Sequence, residues 1–220
     1  LAVSDLASAD SEEGILEVRR QAQKFARMTS QLRREWPELA LSLANSAGAL
    51  LGEEVEELLG RHSMRPGLSL YGGNPMEGTS MSRLGEELLP AMSVSAPIIA
   101  VRELSPGEAI GYGHTFRATR RTPVGIVAVG YANAFPRSLS GRGEVAIRNG
   151  RAKILGRVSM KMTAVDLSGL DGVVPGEDAW LMGGPFENAV SASELAEAWG
   201  TIPYEVFCLM GLNSRVYHGE

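Results

Sequence analysis

The feature that most constrains this chain is a change in the spacing of its apolar residues near residue 88. Before it, Ile15, Val18, Ala22, Phe25 and Leu32 recur at helical intervals, which predicts an amphipathic helix over 11–34. Asp10 with Glu13 three residues on reads as its capping box, and Pro37 ends it. The flanking apolar runs, LAVSDLA at 1–7 and LALSLA at 39–44, suit short buried strands. Asn45-Ser46 reads as the turn and cap of a second helix, with Leu51, Val55 and Leu58 on one side and Gly60 at its end. Residues 67–71 predict a third strand, completing the strand-helix repeat of a parallel α/β sheet. Three such strands and two helices cannot close a (β/α) barrel of eight units, so the sheet is expected to be completed by residues outside these 220 or by another chain. The opening residues, which lack an initiating methionine, read as a strand already in progress whose natural start lies upstream.

Beyond residue 88 the apolar runs are short and β-prone. Strands are expected over 92–102, 123–129, 144–148, 152–158, 163–167 and 178–182, with Asn149-Gly150 as the hairpin turn between the third and fourth. Only 192–199, with Ser191 and Glu194 spaced as a capping box, predicts a helix; 206–210 and 215–217 have β character. The chain therefore divides into an α/β part, 1–88, and a mostly antiparallel β part, 89–220.

Composition narrows the function classes. A net charge of −5 with scattered charges leaves no continuous basic face, so nucleic acid is not an expected partner. The single cysteine, Cys208, excludes an intrachain disulfide and a cysteine-built metal site, and His62, His114 and His218 show no ligand spacing, so no metal is expected. No apolar stretch is long enough to span a bilayer and no signal peptide opens the chain, so a soluble, cytoplasmic protein is expected, without a membrane partner. Of 21 basic residues only Lys24, Lys153 and Lys161 are lysines, so chemistry that needs a lysine amine has three candidates.

Several segments offer polar groups in turns. Arg65-Pro66-Gly67 pairs a guanidinium with a glycine that permits close approach to backbone donors, and suits either a carboxylate, phosphate or ring-nitrogen site or a plain surface turn. Asn45-Ser46 caps a helix and points free donors where an anion would sit. Gly111-Tyr112-Gly113 leaves a phenol unusually accessible, as a proton carrier requires, although packing explains it as readily; such a phenol needs a nearby cation or donor. Residues 129–143 form a polar loop with Tyr131, Asn133 and Arg137 as contacts. The segments 160–162 and 201–205 read as loops flanked by β runs.

Seven of these segments, in order, resemble the alanine racemase family: LASAD at 6–10, ANSAG at 44–48, MRPGLSLYG at 64–72, IGYGHTFRATR at 110–120, VAVGYANAFPR at 127–137, ILGRVSMKMTAVDL at 154–167 and GTIPYEVFC at 200–208. The resemblance implies the carboxy-terminal part of a (β/α)8 barrel followed by an antiparallel β domain, binding pyridoxal 5′-phosphate and interconverting L- and D-alanine. It implies that Arg65 hydrogen-bonds the pyridine nitrogen, that Ser46, Gly67, Leu68 and Tyr204 receive the phosphate, and that Tyr112 exchanges the α-proton on one face. Met160 would lie near the substrate carboxylate and Tyr131 at the entrance, in a homodimer whose sites draw on both chains. The family's second proton carrier, the lysine that anchors the cofactor, has no counterpart in these 220 residues, which predicts that they are inactive alone. Asp5 and Ser42 stand where the family usually carries histidine, and Asn133 and Lys161 where it usually carries aspartate. Those changes leave open a non-catalytic binding protein or a racemase for another amino acid.

Overall fold

The computed structural model describes residues 1–218, which fall into two compact units, Leu1–Ala91 and the residues from Met92 onward. In the first, β1 (Ala2–Val3) runs parallel to β2 (Leu41–Ser42), and Ser42 makes a further parallel bridge to Ser63. Between the strands runs α1 (Glu12–Glu35), whose apolar stripe buries Val18, Ala22 and Phe25. Its N-cap is Ser11 rather than Asp10: the Ser11 hydroxyl accepts from the Gly14 amide at 3.1 Å. With Ser11 as cap the third helical position is Gly14, which has no side chain to complete a capping box, and Glu12 instead accepts from the Ser80 amide at 2.8 Å. Asn45 caps α2 (Ser46–Leu50) through the Gly48 amide, and its own amide donates to Leu6 O at 3.0 Å. The second helix of the sequence reading is two, because the backbone bends at Leu51 (φ −88°, ψ 21°) before α3 (Gly52–Leu59) resumes. Leu51, Val55 and Leu59 join the α1 stripe, Leu6, Leu41, Leu43 and Met76 in one core. Each such side chain contributes about 1.5–3 kcal/mol by leaving water.

Residues 67–71, expected as a third strand, form a 3-10 turn, Leu68–Tyr71. The third parallel segment lies earlier, at Ser63, whose amide donates to Leu41 O at 2.8 Å. Gly67 turns (φ −124°, ψ −76°) so that its amide and that of Ser69 reach the Ser46 hydroxyl, and Leu70 and Tyr71 face solvent.

The second unit is a closed antiparallel barrel. Its strands are β3 (Val94–Leu104), β6 (Thr122–Val127), β7 (Glu144–Ile147), β8 (Gly150–Leu155), β9 (Thr163–Asp166) and β10 (Asp178–Met182), in the order β10-β3-β6-β9-β8-β7, closed by β10 against β7. A separate ribbon of β4 (Ala109–Ile110) and β5 (Phe116–Arg117) carries the Tyr112 turn. Ile98, Val127, Phe135, Leu139, Val145, Ile147, Val165 and Leu181 fill the core, and closure removes the open edges that short strands otherwise expose.

Four expectations need correction here. The β7–β8 hairpin turns at Arg148-Asn149, with Gly150 already paired to Ile147. The Arg148 side chain decides this: it holds Glu177 through Nε (2.7 Å) and Nη2 (2.6 Å), fixing Arg148 at φ 52°. Residues 206–210, expected as a strand, lie in α5 (Pro203–Met210), where proline occupies the first turn and Val206 and Met210, four apart, are both buried. The same helix takes in most of 201–205, expected as a loop. Residues 215–217 form no strand, and Val216 and Tyr217 are exposed. Helix α4 (Ala192–Trp199) has the complete Ser191–Glu194 capping box.

Candidate functional site

Polar groups of the first unit gather where β1, β2 and the Ser63 bridge end, the face on which parallel α/β sheets place ligands. Ser42 closes β2 with its hydroxyl buried, donating to Ser63 O at 2.8 Å and accepting from Arg65 Nη1 at 2.5 Å. Arg65 Nη2 donates to Ser4 O at 2.6 Å and lies 3.4 Å from Asp5 Oδ1. Two chain segments, at 4–5 and at 42, thus fix the guanidinium, while about a third of the side chain stays open to solvent. The Asp5 pair is too exposed to stabilise the fold by much, and its effect is on where the guanidinium points. Beside it, the buried Ser46 hydroxyl accepts from the amides of Gly67 (2.8 Å) and Ser69 (3.3 Å). A Cβ on Gly67 would meet no atom within 4 Å, so the glycine faces open space that a side chain would fill. Leu68 follows in the same turn with its side chain buried.

The second unit brings other groups together around an open cleft of about 570 Å³, lined by Tyr112, Gly113, Tyr131, Arg137, Arg157, Ser159, Met160, Lys161 and Met162. Tyr112 is 69% exposed, on a turn between Gly111 (φ 80°) and Gly113 (φ 70°). Gly113 is favoured by its left-handed φ, and a Cβ there would fall 2.8 Å from Arg157 Nη1 and displace that side chain. The guanidinium therefore lies against the turn that presents the phenol. Tyr131 and Met160 meet because two loops are joined through their backbones, Tyr131 N to Ser159 O at 3.1 Å and Ala132 N to Met160 O at 3.0 Å. A second hollow of about 450 Å³ shares Tyr131 and Arg137 with the cleft and adds Asn133, Trp199 and Leu209.

Of the residues singled out by sequence, Arg65, Ser46, Gly67 and Leu68 thus cluster in the first unit, and Tyr112, Tyr131 and Met160 line one cleft in the second. Tyr204 stands apart from that cleft, in the first turn of α5. Sequence reasoning missed Arg157 and the Ser42 bond to Arg65. The glycine at 113 was the available signal for Arg157, since a second glycine beside an exposed tyrosine marks a crowded neighbour as well as a free one.

Comparison with known proteins agrees with this division. The family model "Alanine racemase, N-terminal domain" matches residues 2–75, and "Alanine racemase, C-terminal domain" matches 91–217. The alanine racemase of Nitratidesulfovibrio vulgaris (strain DSM 19637 / Miyazaki F) is 47% identical over 217 residues, covering 99% of this chain and 57% of that protein. Alanine racemase from Streptomyces coelicolor A3(2) superposes with a TM-score of 0.81 at 29% identity, over 99% of this chain and 56% of that one. The Bartonella henselae alanine racemase with covalently bound pyridoxal phosphate gives 0.73 at 25% identity, over 94% and 53%. The chain spans little more than half the length of these relatives. Among the described residues no helix is long and apolar enough to cross a membrane. With both domain models matched in order along nearly its whole length, the chain belongs to the alanine racemase family.

Proposed function

We propose that the whole protein is a pyridoxal 5′-phosphate-dependent racemase that interconverts L- and D-alanine, as a cytoplasmic homodimer with shared sites. The observation that carries the reading is the fixed Arg65 guanidinium beside the glycine-open cradle of Ser46 and Gly67, within a chain of this family. We infer that Ser46 and the backbone of Gly67 and Leu68 would hold the phosphate, the Gly67 amide exchanging its bond to Ser46 Oγ for one to the phosphate, that Tyr204 would add a hydroxyl, and that Arg65 would hold the ring nitrogen. When bound, pyridoxal phosphate supplies the electron withdrawal that acidifies the substrate α-hydrogen.

A guanidinium is a fork of hydrogen-bond donors with no acceptor, so Arg65 would hold the ring nitrogen by donating to it. The α-proton then depends on protein groups placed at the α-carbon, one for each face. Tyr112 is the carrier on one face, its phenol exposed and the Arg157 guanidinium against its turn. Met160 borders the substrate carboxylate and Tyr131 the entrance. The second carrier would be a lysine outside these residues, because Lys24 is exposed on α1, Lys153 is exposed on β8 and Lys161 belongs to the cleft of the second unit. We place the cofactor-binding segment in 1–88 and the β domain in 89–220, and infer that these 220 residues alone do not racemise. Proton NMR of L-alanine with the full-length protein in deuterium oxide tests the activity: loss of the α-proton signal together with growth of D-alanine is expected, and its absence in cofactor-saturated protein would refute the reading.

A further inference from the structure

The Arg65 guanidinium is held by a hydroxyl whose own proton has only one place to go. Ser42 is 2% exposed and its Oγ lies 2.8 Å from Ser63 O, a carbonyl that can only accept. The hydroxyl proton therefore points to Ser63, and a lone pair is left to face Arg65 Nη1 at 2.5 Å. Ser42 and Ser63 also form the parallel bridge between β2 and the third parallel segment, and the Arg65 amide donates to Ala44 O at 2.8 Å. Both the backbone and the head of Arg65 are thereby registered to one sheet contact. An imidazole at 42 could present a donor, an acceptor or a charge, whereas this hydroxyl presents an acceptor alone. On the other arm Nη2 donates to Ser4 O at 2.6 Å, with Asp5 Oδ1 3.4 Å away. Among the described residues nothing accepts from Nε or from the second Nη1 proton. A carboxylate already beside Nη2 repels a second anion, so these donors suit a neutral acceptor such as a ring nitrogen better than a phosphate or carboxylate.

We propose that Ser42 is a positioning residue that acts through Arg65: by holding Nη1 it keeps the remaining guanidinium donors on the cofactor ring nitrogen. The inference rests on the racemase reading for the identity of that cofactor. Asp5 does less, since its pair is longer and lies largely in water. The test compares equilibrium binding of pyridoxal 5′-phosphate and of its 1-deaza analogue, in which C–H replaces the ring nitrogen, to the full-length protein freed of cofactor. The parent is expected to prefer pyridoxal phosphate by at least about tenfold, because the analogue leaves a guanidinium donor unpaired. Ser42→Val is expected to cut that preference by at least about fivefold, while Ser42→Thr, of the same shape but with the hydroxyl, keeps it. A purely structural defect weakens both ligands alike and leaves their ratio unmoved, and Ser42→Ala gives a second reading should valine disturb folding. Arg65→Ala should abolish the preference, and adding Ser42→Val to it should change nothing further. Asp5→Asn should alter it by at most about twofold. No preference in the parent, an unchanged ratio in the valine and alanine variants, a further loss in the Arg65→Ala background, or a larger loss from Asp5→Asn than from Ser42→Val would each overturn the proposal. No binding of pyridoxal phosphate by the parent would remove the racemase reading and the proposal with it, whereas binding with an unchanged ratio would remove the proposal alone.

Discussion

Gly130 is where the two loops behind Tyr131 and Met160 touch, and replacing it with alanine tests whether that contact fixes the cleft. A Cβ at 130 would lie 2.1 Å from Ser159 O, 2.6 Å from Met160 C and 2.7 Å from Met160 O. All three are backbone atoms, whereas carbon–oxygen contacts begin at about 3.3 Å, so one loop must withdraw by about 1 Å. That movement breaks the Tyr131 N–Ser159 O and Ala132 N–Met160 O bonds. It also strains Gly130 O, which accepts from Asn133 N (2.8 Å) and Phe135 N (3.2 Å) and so anchors the fully buried Phe135. Two backbone bonds at about 1 kcal/mol each and an overpacking cost of about 1–3 kcal/mol give a loss of about 3–5 kcal/mol.

Urea unfolding followed by tryptophan fluorescence measures it. Trp180 and Trp199 belong to the second unit and Trp36 to the first, so a Trp36→Phe background isolates the signal. With a slope of about 1–3 kcal/mol per molar urea, Gly130→Ala is expected to lower the midpoint by at least about 1 M at unchanged slope. Gly52→Ala is the control: its Cβ meets nothing within 4 Å and it lies in the first unit, outside the one that Trp180 and Trp199 report on, so this midpoint should stay within about 0.3 M of the parent. A Gly130→Ala midpoint within about 0.3 M of the parent would mean that the loops part at no cost, and the reasoning fails.

Tyr112→Phe in the full-length protein should lower turnover by at least about 10²-fold with the cofactor absorption band intact; near-parent turnover would assign Tyr112 to packing. In the second unit, the Arg148 side chain and then the Val174 amide hold the Glu177 carboxyl below the ordinary carboxylate range. A carboxyl depressed in the folded state adds stability that is full above its unfolded pKa and is lost as pH falls through its folded one, so acid should weaken this unit below the ordinary glutamate range. Glu177→Gln is expected to flatten the acid limb of a plot of urea midpoint against pH, and an unchanged limb would count against the pair. Finally, borohydride reduction of the 220-residue chain with pyridoxal phosphate, followed by peptide mapping, should yield no stoichiometric label on Lys24, Lys153 or Lys161; full label on Lys161 with exchange of the alanine α-proton would show that a substitute lysine has taken the missing role.

Legibility followed the length of the repeating signal. Helix α1 runs for 24 residues, so its apolar spacing repeats many times and survives a one-residue error in the cap. Helix α4 is only eight residues long, but the Ser191 and Glu194 side chains accept from each other's backbone amides and mark its start independently of periodicity. The strands β3 and β10 were readable because β-branched and aromatic residues are bounded by turn formers. The site was readable where a residue type is rare in its setting, as with an arginine before Pro-Gly or a tyrosine between glycines.

What escaped reading depends on contacts distant in sequence. An apolar run of five residues, 206–210, fits a strand or a buried helix equally well, and the choice falls to Pro203 and to the burial of Val206 and Met210 on one helical face. Residues 67–71 have strand composition, yet the Ser46 hydroxyl, 21 residues earlier, accepts from two of their amides and bends them into a turn. The β7–β8 hairpin follows the same logic: Asn-Gly has the stronger local preference, but Arg148 gains two bonds to Glu177 and the carbonyls of Asp171 (3.0 Å) and Gly172 (2.9 Å) by taking the left-handed position itself. Gly150 is then left to serve packing, since a Cβ there would sit 2.2 Å from Leu170 Cδ2. At 67–71 and in the hairpin a partner many residues away supplies hydrogen bonds that outweigh a local preference of about 1 kcal/mol, and at 206–210 the burial of one helical face does so. The same holds for the candidate site: Arg65 was visible in its own motif, but the Ser42 hydroxyl and Ser4 carbonyl that aim it become its neighbours only once β1 and β2 lie side by side.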